Sequence, residues 1–210
     1  MLRYAITDRA RFTAESGQDE PARQAALIAQ AARLAAEDID FLQLRERDLS
    51  AAALASLARN LLATLRAHNP APRLLINSRA DIAIATCADG VHLTSSPNEL
   101  TPAQIRTLYA AACLPEPVIS LACHTLAEVA RAASSAPNER PTLILFGPVF
   151  EKVVAEKVVA AGTGLDLLRA ACVAAAPIPV LALGGITPAN TDSCLGAGAT
   201  GIAAIRLFLD

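Results

Sequence analysis

At 210 residues, with 53% hydrophobic but only 3% aromatic side chains, the chain has the size of one domain whose core is built from Ala, Leu, Ile and Val. A net charge of -2 gives no global basic field, so a nucleic-acid partner is not expected, and no run of about 18 uncharged apolar residues offers a membrane span. Met1 to Asp8 enters strand-like sequence without a cationic, apolar leader, which makes a cytoplasmic location the expectation.

Leu2 to Ile6 reads as a strand and Ala22 to Ala36 as a helix with apolar positions every three or four residues. Ile39 to Leu44 is a second strand, ending in Arg45-Glu46-Arg47-Asp48. Ser50 caps a helix from Ala51 to Ala67. A short strand, Leu74 to Ile76, precedes a short helix, Arg79 to Thr86, and Gly90 to Leu93 is a fourth strand. Thr101-Pro102 starts a helix running to Ala112. Val118 to Ala122 is a fifth strand, and Thr125 with Glu128 three residues on has capping-box spacing. Leu143 to Phe146 is the sixth strand, followed by a long loop from Gly147 to Gly164 and a helix from Leu165 to Ala175. Pro179 to Leu183 breaks at Gly184-Gly185, Thr187-Pro188 starts another helix, and Gly201 to Ile205 is the last strand.

Eight strands alternating with seven helices, all on short crossovers, point to a small (β/α)₈ TIM barrel of class α/β, with no GxGxxG fingerprint after the first strand to suggest an open sheet. The chain stops at Asp210, so the eighth helix is truncated or missing. Either the Leu207-Phe208-Leu209 tail closes that gap or a partner subunit covers it, which leaves room for a homo-oligomer. Five cysteines, Cys87, Cys113, Cys123, Cys172 and Cys194, form an odd set without CxxC spacing. They argue against a disulfide framework or a zinc site and are expected mostly as small core residues.

In a barrel of this type the strand ends carry the chemistry. Those ends hold Arg45, Glu46 and Arg47, then Asn77 and Arg79, Thr94 and Ser95, Cys123 and His124, the lysines after Gly147, Gly184-Gly185, and Arg206. Guanidinium groups and a Gly-Gly turn before a helix favour a phosphorylated or carboxylated small molecule. His124, directly after a strand at the start of a helix, is placed to move a proton near neutral pH. Each has a plainer reading: the Arg-Glu-Arg run as a solvated rim, His124 as a capping residue, the Gly-Gly turn as a tight turn, and His92 as core packing.

QLRER (Gln43 to Arg47), INSRADIAI (Ile76 to Ile84), GVHL (Gly90 to Leu93), CHTLAEV (Cys123 to Val129), FGPVF (Phe146 to Phe150) and LALGGITPAN (Leu181 to Asn190) occur in one order. Together they resemble the thiamine phosphate synthase superfamily over nearly the whole chain, as a single barrel domain of residues 1–210. The resemblance implies one of two activities. The synthase branch couples hydroxymethylpyrimidine diphosphate to a thiazole phosphate with Mg²⁺; the TenI-type thiazole tautomerase aromatises a thiazole carboxylate phosphate by moving a proton, without a metal.

Departures favour the second branch. Where the synthase pattern has carboxylates in IND and GQED-like motifs, this chain has Asn77-Ser78-Arg79 and Thr94-Ser95-Ser96-Pro97; its lysine after QLRx is Arg47 and its threonine-rich loop is the duplicated EKVVA of Glu151 to Ala160. The tautomerase pattern, with RER, NxRxDIAL and a histidine opening the fifth helix, is matched. It implies His124 as acid and base, Arg45, Arg47 or Lys157 on the carboxylate, Asn77 near the ligand, and the phosphate on Gly184-Gly185 beside Arg206, with no metal or other cofactor. A divergent synthase using Mg²⁺ and a non-catalytic, phosphate-binding regulatory barrel are the alternatives.

Overall fold

The computed structural model describes residues 1–12, 19–68, 70–96, 98–154 and 157–209; within 152–160 the backbone alone is described. β1 (Leu2–Ile6) leads through a 3₁₀ turn, Arg9–Arg11, to α1 (Glu20–Ala36). The next units are β2 (Phe41–Leu44) with α2 (Ala51–Leu65), β3 (Arg73–Asn77) with α3 (Ala80–Thr86), β4 (Gly90–Leu93) with α4 (Pro102–Ala111), and β5 (Val118–Cys123) with α5 (Leu126–Ser134). After β6 (Leu143–Phe146) comes an antiparallel hairpin, β7 (Lys152–Val154) and β8 (Lys157–Ala160), then α6 (Gly164–Ala175), β9 (Val180–Leu183), α7 (Pro188–Gly196) and β10 (Gly201–Ala204).

The eight parallel strands close in the order β1-β10-β9-β6-β5-β4-β3-β2, with Leu2 paired to Gly201 at the seam. Strand alternation sorts the side chains. Tyr4, Ile6, Leu75, Val118, Leu143, Leu145, Leu181 and Ala203 fill the barrel, while the opposite faces pack against the helices through Leu42, Ile76, Val91, Ile119 and Ile144. Side-chain caps fix where helices begin. Asp19 accepts from the Ala22 N–H, so α1 starts two residues before its apolar pattern; Ser50, Thr101 and Thr125 cap α2, α4 and α5 as their sequences predict.

Two expectations change. The long loop after β6 contains the hairpin, whose two strands are the two copies of the EKVVA repeat, Val153 opposite Val158 and Val154 opposite Lys157. The cysteines are not uniformly core: Cys123 and Cys194 are buried, Cys172 is half-buried, and Cys87 and Cys113 are exposed in left-handed turns that end or follow helices. The missing eighth helix is replaced by a 3₁₀ turn, Arg206–Phe208. Its Phe208 carbonyl accepts from Gln30 Nε2 (2.6 Å) and Arg33 Nη2 (3.0 Å) of α1, and the Phe208 ring lies 5.5 Å from the Arg3 guanidinium. The chain's own tail therefore covers this side, keeping Ile202 and Ala204 buried. Among the described residues no helix is long and apolar enough to cross a membrane.

Candidate functional site

The run Arg45-Glu46-Arg47 divides by parity. Glu46, 6% exposed, turns away from the barrel axis and meets Arg9, itself 4% exposed. Glu46 Oε1 accepts from Thr7 Oγ1 (2.6 Å) and the Arg9 N–H (3.1 Å), and Oε2 from Arg9 Nη1 (2.9 Å). Arg9 also reaches Asp48 through both Nη atoms and Glu20 through Nε, which holds the Asp48 and Glu20 carboxyls below their usual range. Glu46 is thus structural, tying the β1 loop to the end of β2. Arg45 and Arg47 are left without a carboxylate within 4 Å among the described residues. Arg45 is half-buried; burial, and then the charge of Arg47, lower its guanidinium pKa. A desolvated cation beside a second cation favours an anionic ligand.

Arg47 and Asn77 line one cavity of about 360 Å³ between β2, β3 and β4, together with Glu46, Ser78, Arg79, Thr94 and Glu99. The Oδ1 atom of Asn77 is sealed from solvent and has no hydrogen-bond partner among the described residues. Arg79 instead forms a bidentate pair with Asp81 (2.8 and 2.6 Å) on α3. Glu99, which sequence reasoning did not single out, brings a carboxylate to this cavity. Its Oε1 accepts from Ser78 Oγ (2.5 Å), Thr94 Oγ1 (2.6 Å) and Thr94 N (3.2 Å). One oxygen of this carboxylate is thus taken by three donors, and two arginines line the same space, an electrostatic setting unfavourable to Mg²⁺.

His124 is exposed at the end of β5. Its N–H donates to Glu128 Oε2 (2.6 Å), and its Nδ1 lies 2.5 Å from the Gly147 carbonyl oxygen at the end of β6. A carbonyl only accepts, so Nδ1 carries a proton, and in the neutral ring Nε2 is the nitrogen with the lone pair. Burial raises the Glu128 carboxyl, but the backbone donors of His124 and Thr125 outweigh it and hold the group below its usual range.

Gly184, Gly185 and Arg206 share a second cavity of about 190 Å³ with Arg11, Glu151, Ile186 and Ile205. Both glycines have positive φ, 96° and 65°, and a Cβ on either would fall 2.6–2.7 Å from Pro148 or Phe150. The turn is therefore locked against the loop after β6, with Val149 N donating to Leu183 O (2.8 Å) and Phe150 N to Gly184 O (3.1 Å). Asn190 Nδ2 donates to Gly185 O and its Oδ1 accepts from Thr187 N, each at 2.9 Å, which ties the start of α7 to the Gly184-Gly185 turn.

The structure thus gathers Arg47 and Asn77 at one side of the mouth and Gly184, Gly185 and Arg206 at another, with Arg45 by Arg47 and His124 on the rim at β5 and β6. The Lys157 side chain lies outside what is described. Sequence reasoning missed Arg9, Arg11, Glu99 and Glu151, all brought in by loops whose paths no local pattern reveals. His92 enters the barrel interior, where its Nδ1 is 2.8 Å from Ser120 Oγ.

A closed parallel barrel with arginines and a Gly-Gly turn at the C-terminal strand ends defines a (β/α)₈ protein that carries its polar groups on the βα loops. Residues 4–208 match the family model described as thiamine monophosphate synthase. The chain belongs to that family, the thiamine phosphate synthase/TenI superfamily. A Geobacter sulfurreducens relative, provisionally named a thiamine-phosphate synthase, is 37% identical over 207 residues, covering 98% of this chain and 85% of its own. The thiamine-phosphate synthase of Azorhizobium caulinodans is 31% identical over 207 residues, 96% of this chain and 84% of that protein. The thiamine phosphate pyrophosphorylase structure from Pyrococcus furiosus shares the fold, with a TM-score of 0.72, 24% identity, and coverage of 97% of this chain and 85% of that one.

Proposed function

We propose that this chain is an enzyme of thiamine biosynthesis that binds a phosphorylated thiazole across the barrel mouth. The observation that supports the reading is the presence at one side of the mouth of two guanidiniums, Arg45 and Arg47, with no carboxylate within 4 Å among the described residues, and at another of a cavity lined by the Gly184-Gly185 turn and Arg206. The turn and Arg206 take the phosphate, and Arg45 and Arg47 take a second anionic group. Kinship supports the coupling of hydroxymethylpyrimidine diphosphate to thiazole phosphate better than any other reaction, since the relatives carry that name. In that reading Arg45 and Arg47 offset the charge of the departing diphosphate.

One feature favours a second reading, the metal-independent aromatisation of a thiazole carboxylate phosphate. In its neutral form His124 carries its proton on Nδ1, hydrogen-bonded to the Gly147 carbonyl, which leaves Nε2 as the basic nitrogen. His124 Nε2 would take the proton from the carbon bearing the carboxylate and return one to the exocyclic carbon, while Arg45 and Arg47, with Lys157 as a further candidate, hold the carboxylate. No net redox change or co-reactant is needed.

Purified protein is given each substrate set with EDTA and with Mg²⁺, beside His124→Ala. Thiamine phosphate formation that requires Mg²⁺ establishes the synthase. Metal-independent aromatisation, falling by about 10²–10⁴ in kcat in His124→Ala, establishes the proton shift. Binding of the thiazole phosphate without turnover in either assay would leave a non-catalytic barrel.

A further inference from the structure

We propose that His92 is a second imidazole facing the ligand, fixed as its Nε2–H tautomer so that it donates a hydrogen bond to an acceptor atom of the heterocycle over the barrel axis. The inference rests on the heterocyclic-phosphate reading of the mouth. His92 sits on β4, in register with Asn77 on β3 and Ser120 on β5. Four interior side chains form a line: Gln43 Nε2 to Tyr4 Oη at 3.0 Å, Tyr4 Oη to Ser120 Oγ at 2.9 Å, and Ser120 Oγ to His92 Nδ1 at 2.8 Å. Gln43, Tyr4 and Ser120 are sealed from solvent, so each proton must be placed within the line.

The amide sets the polarity. Gln43 Nε2 only donates, so the Tyr4 oxygen accepts and its own proton goes to Ser120. Ser120 then gives its proton to His92 Nδ1, which must present a lone pair. The reverse order would leave the Tyr4 proton without an acceptor in a dry interior, which is unfavourable. A neutral His92 therefore carries its proton on Nε2. The ring stays neutral for a reason the geometry supplies: burial, and then the cations Arg45 and Arg47 from β2, lower its pKa to about 3, while the titratable Tyr4 below it is pushed upward by burial. Among the described residues only Arg23 Nε and Asn77 Oδ1 are sealed polar atoms without a partner. His92 Nε2 has no hydrogen-bond partner among the described residues and is not among their sealed atoms, and the ring keeps 6% exposure in register with Asn77, so its N–H is left to meet a ligand. The two histidines of the mouth are then opposite in kind, His124 offering a lone pair and His92 a proton.

Protein labelled with ¹⁵N at histidine gives the tautomers directly through long-range ¹H–¹⁵N correlations. His92, assigned by its loss in His92→Gln, is expected as the Nε2–H form from about pH 5 to 8; an Nδ1–H pattern, or titration in that range, overturns the proposal. Affinity for the aromatic thiazole carboxylate phosphate is measured beside it. His92→Phe should bind about tenfold more weakly, and His92→Gln, which keeps an N–H donor, within about threefold of wild type. Inorganic phosphate should bind all three proteins equally, showing that the Gly184-Gly185 cavity is intact. Equal affinity of His92→Phe and wild type for the thiazole would overturn the donor role. A wild type that binds phosphate but not the thiazole would sink the heterocycle reading and the ligand role with it, while the spectrum still decides the tautomer.

Discussion

Arg9 holds three carboxylates at once, Glu20, Glu46 and Asp48, and the end of β2 depends on it. Removing one partner of a buried ion pair strands the other charge, so Glu46→Gln or Arg9→Met should cost about 3–5 kcal/mol in urea unfolding, and the double replacement Arg9→Met/Glu46→Leu should recover part of that loss. Asp48 and Glu20 are more exposed and add a pH signature. Because Arg9 holds their folded carboxyls below the unfolded value, their contribution is present above the ordinary carboxylate range and is lost as pH falls through the lowered values. Arg9→Met should flatten that acid loss. His92 acts with the same sign: its folded pKa of about 3 lies below the unfolded value of about 6.5, so stability declines as pH drops through that window, and His92→Gln should remove this slope. The Arg-Glu-Arg run was legible as a strand end, with its arginines as cations at the mouth. That its middle residue is a buried anchor was not, because the carboxylate's partner arrives from another loop 37 residues away.

The loop after β6 is where local patterns mislead. EKVVA reads as an irregular lysine-bearing segment, since five is an odd period and each copy reverses the alternation of the last. Paired antiparallel, the copies nonetheless make a short ladder with one irregularity at Lys152 and Val153. The Gly184-Gly185 turn was legible, with its following Thr-Pro helix start; what it touches was not. Gly184→Ala would push a Cβ against the Pro148 backbone at a φ of 96°, so a loss of about 1–3 kcal/mol and weaker competition by inorganic phosphate are expected. Unchanged phosphate affinity in a folded Gly184→Ala protein would count against this turn as the anion site.

The barrel itself was the most legible feature, because eight apolar runs alternating with helix patterns leave few arrangements, and the structure agrees in strand number and direction. The sequence offered the Leu207-Phe208-Leu209 tail as one of two covers for the place of an eighth helix, and the structure takes that one, but three residues are too few for a period to show the 3₁₀ turn or its contacts with α1. Phe208→Ala should cost about 3–5 kcal/mol by emptying the space between α1 and the seam, and the loss should appear in thermal unfolding. That seam has a further consequence during synthesis. β1 leaves the ribosome before the other strands of the barrel, yet one of its two partners is a strand made about 200 residues later. Until then the nascent chain carries an open sheet with two bare edges, each able to pair with a neighbouring polypeptide. Aggregation of truncated chains, and a slow closing step dominated by distant contacts, should therefore mark the folding of this protein more than any weakness of its finished core.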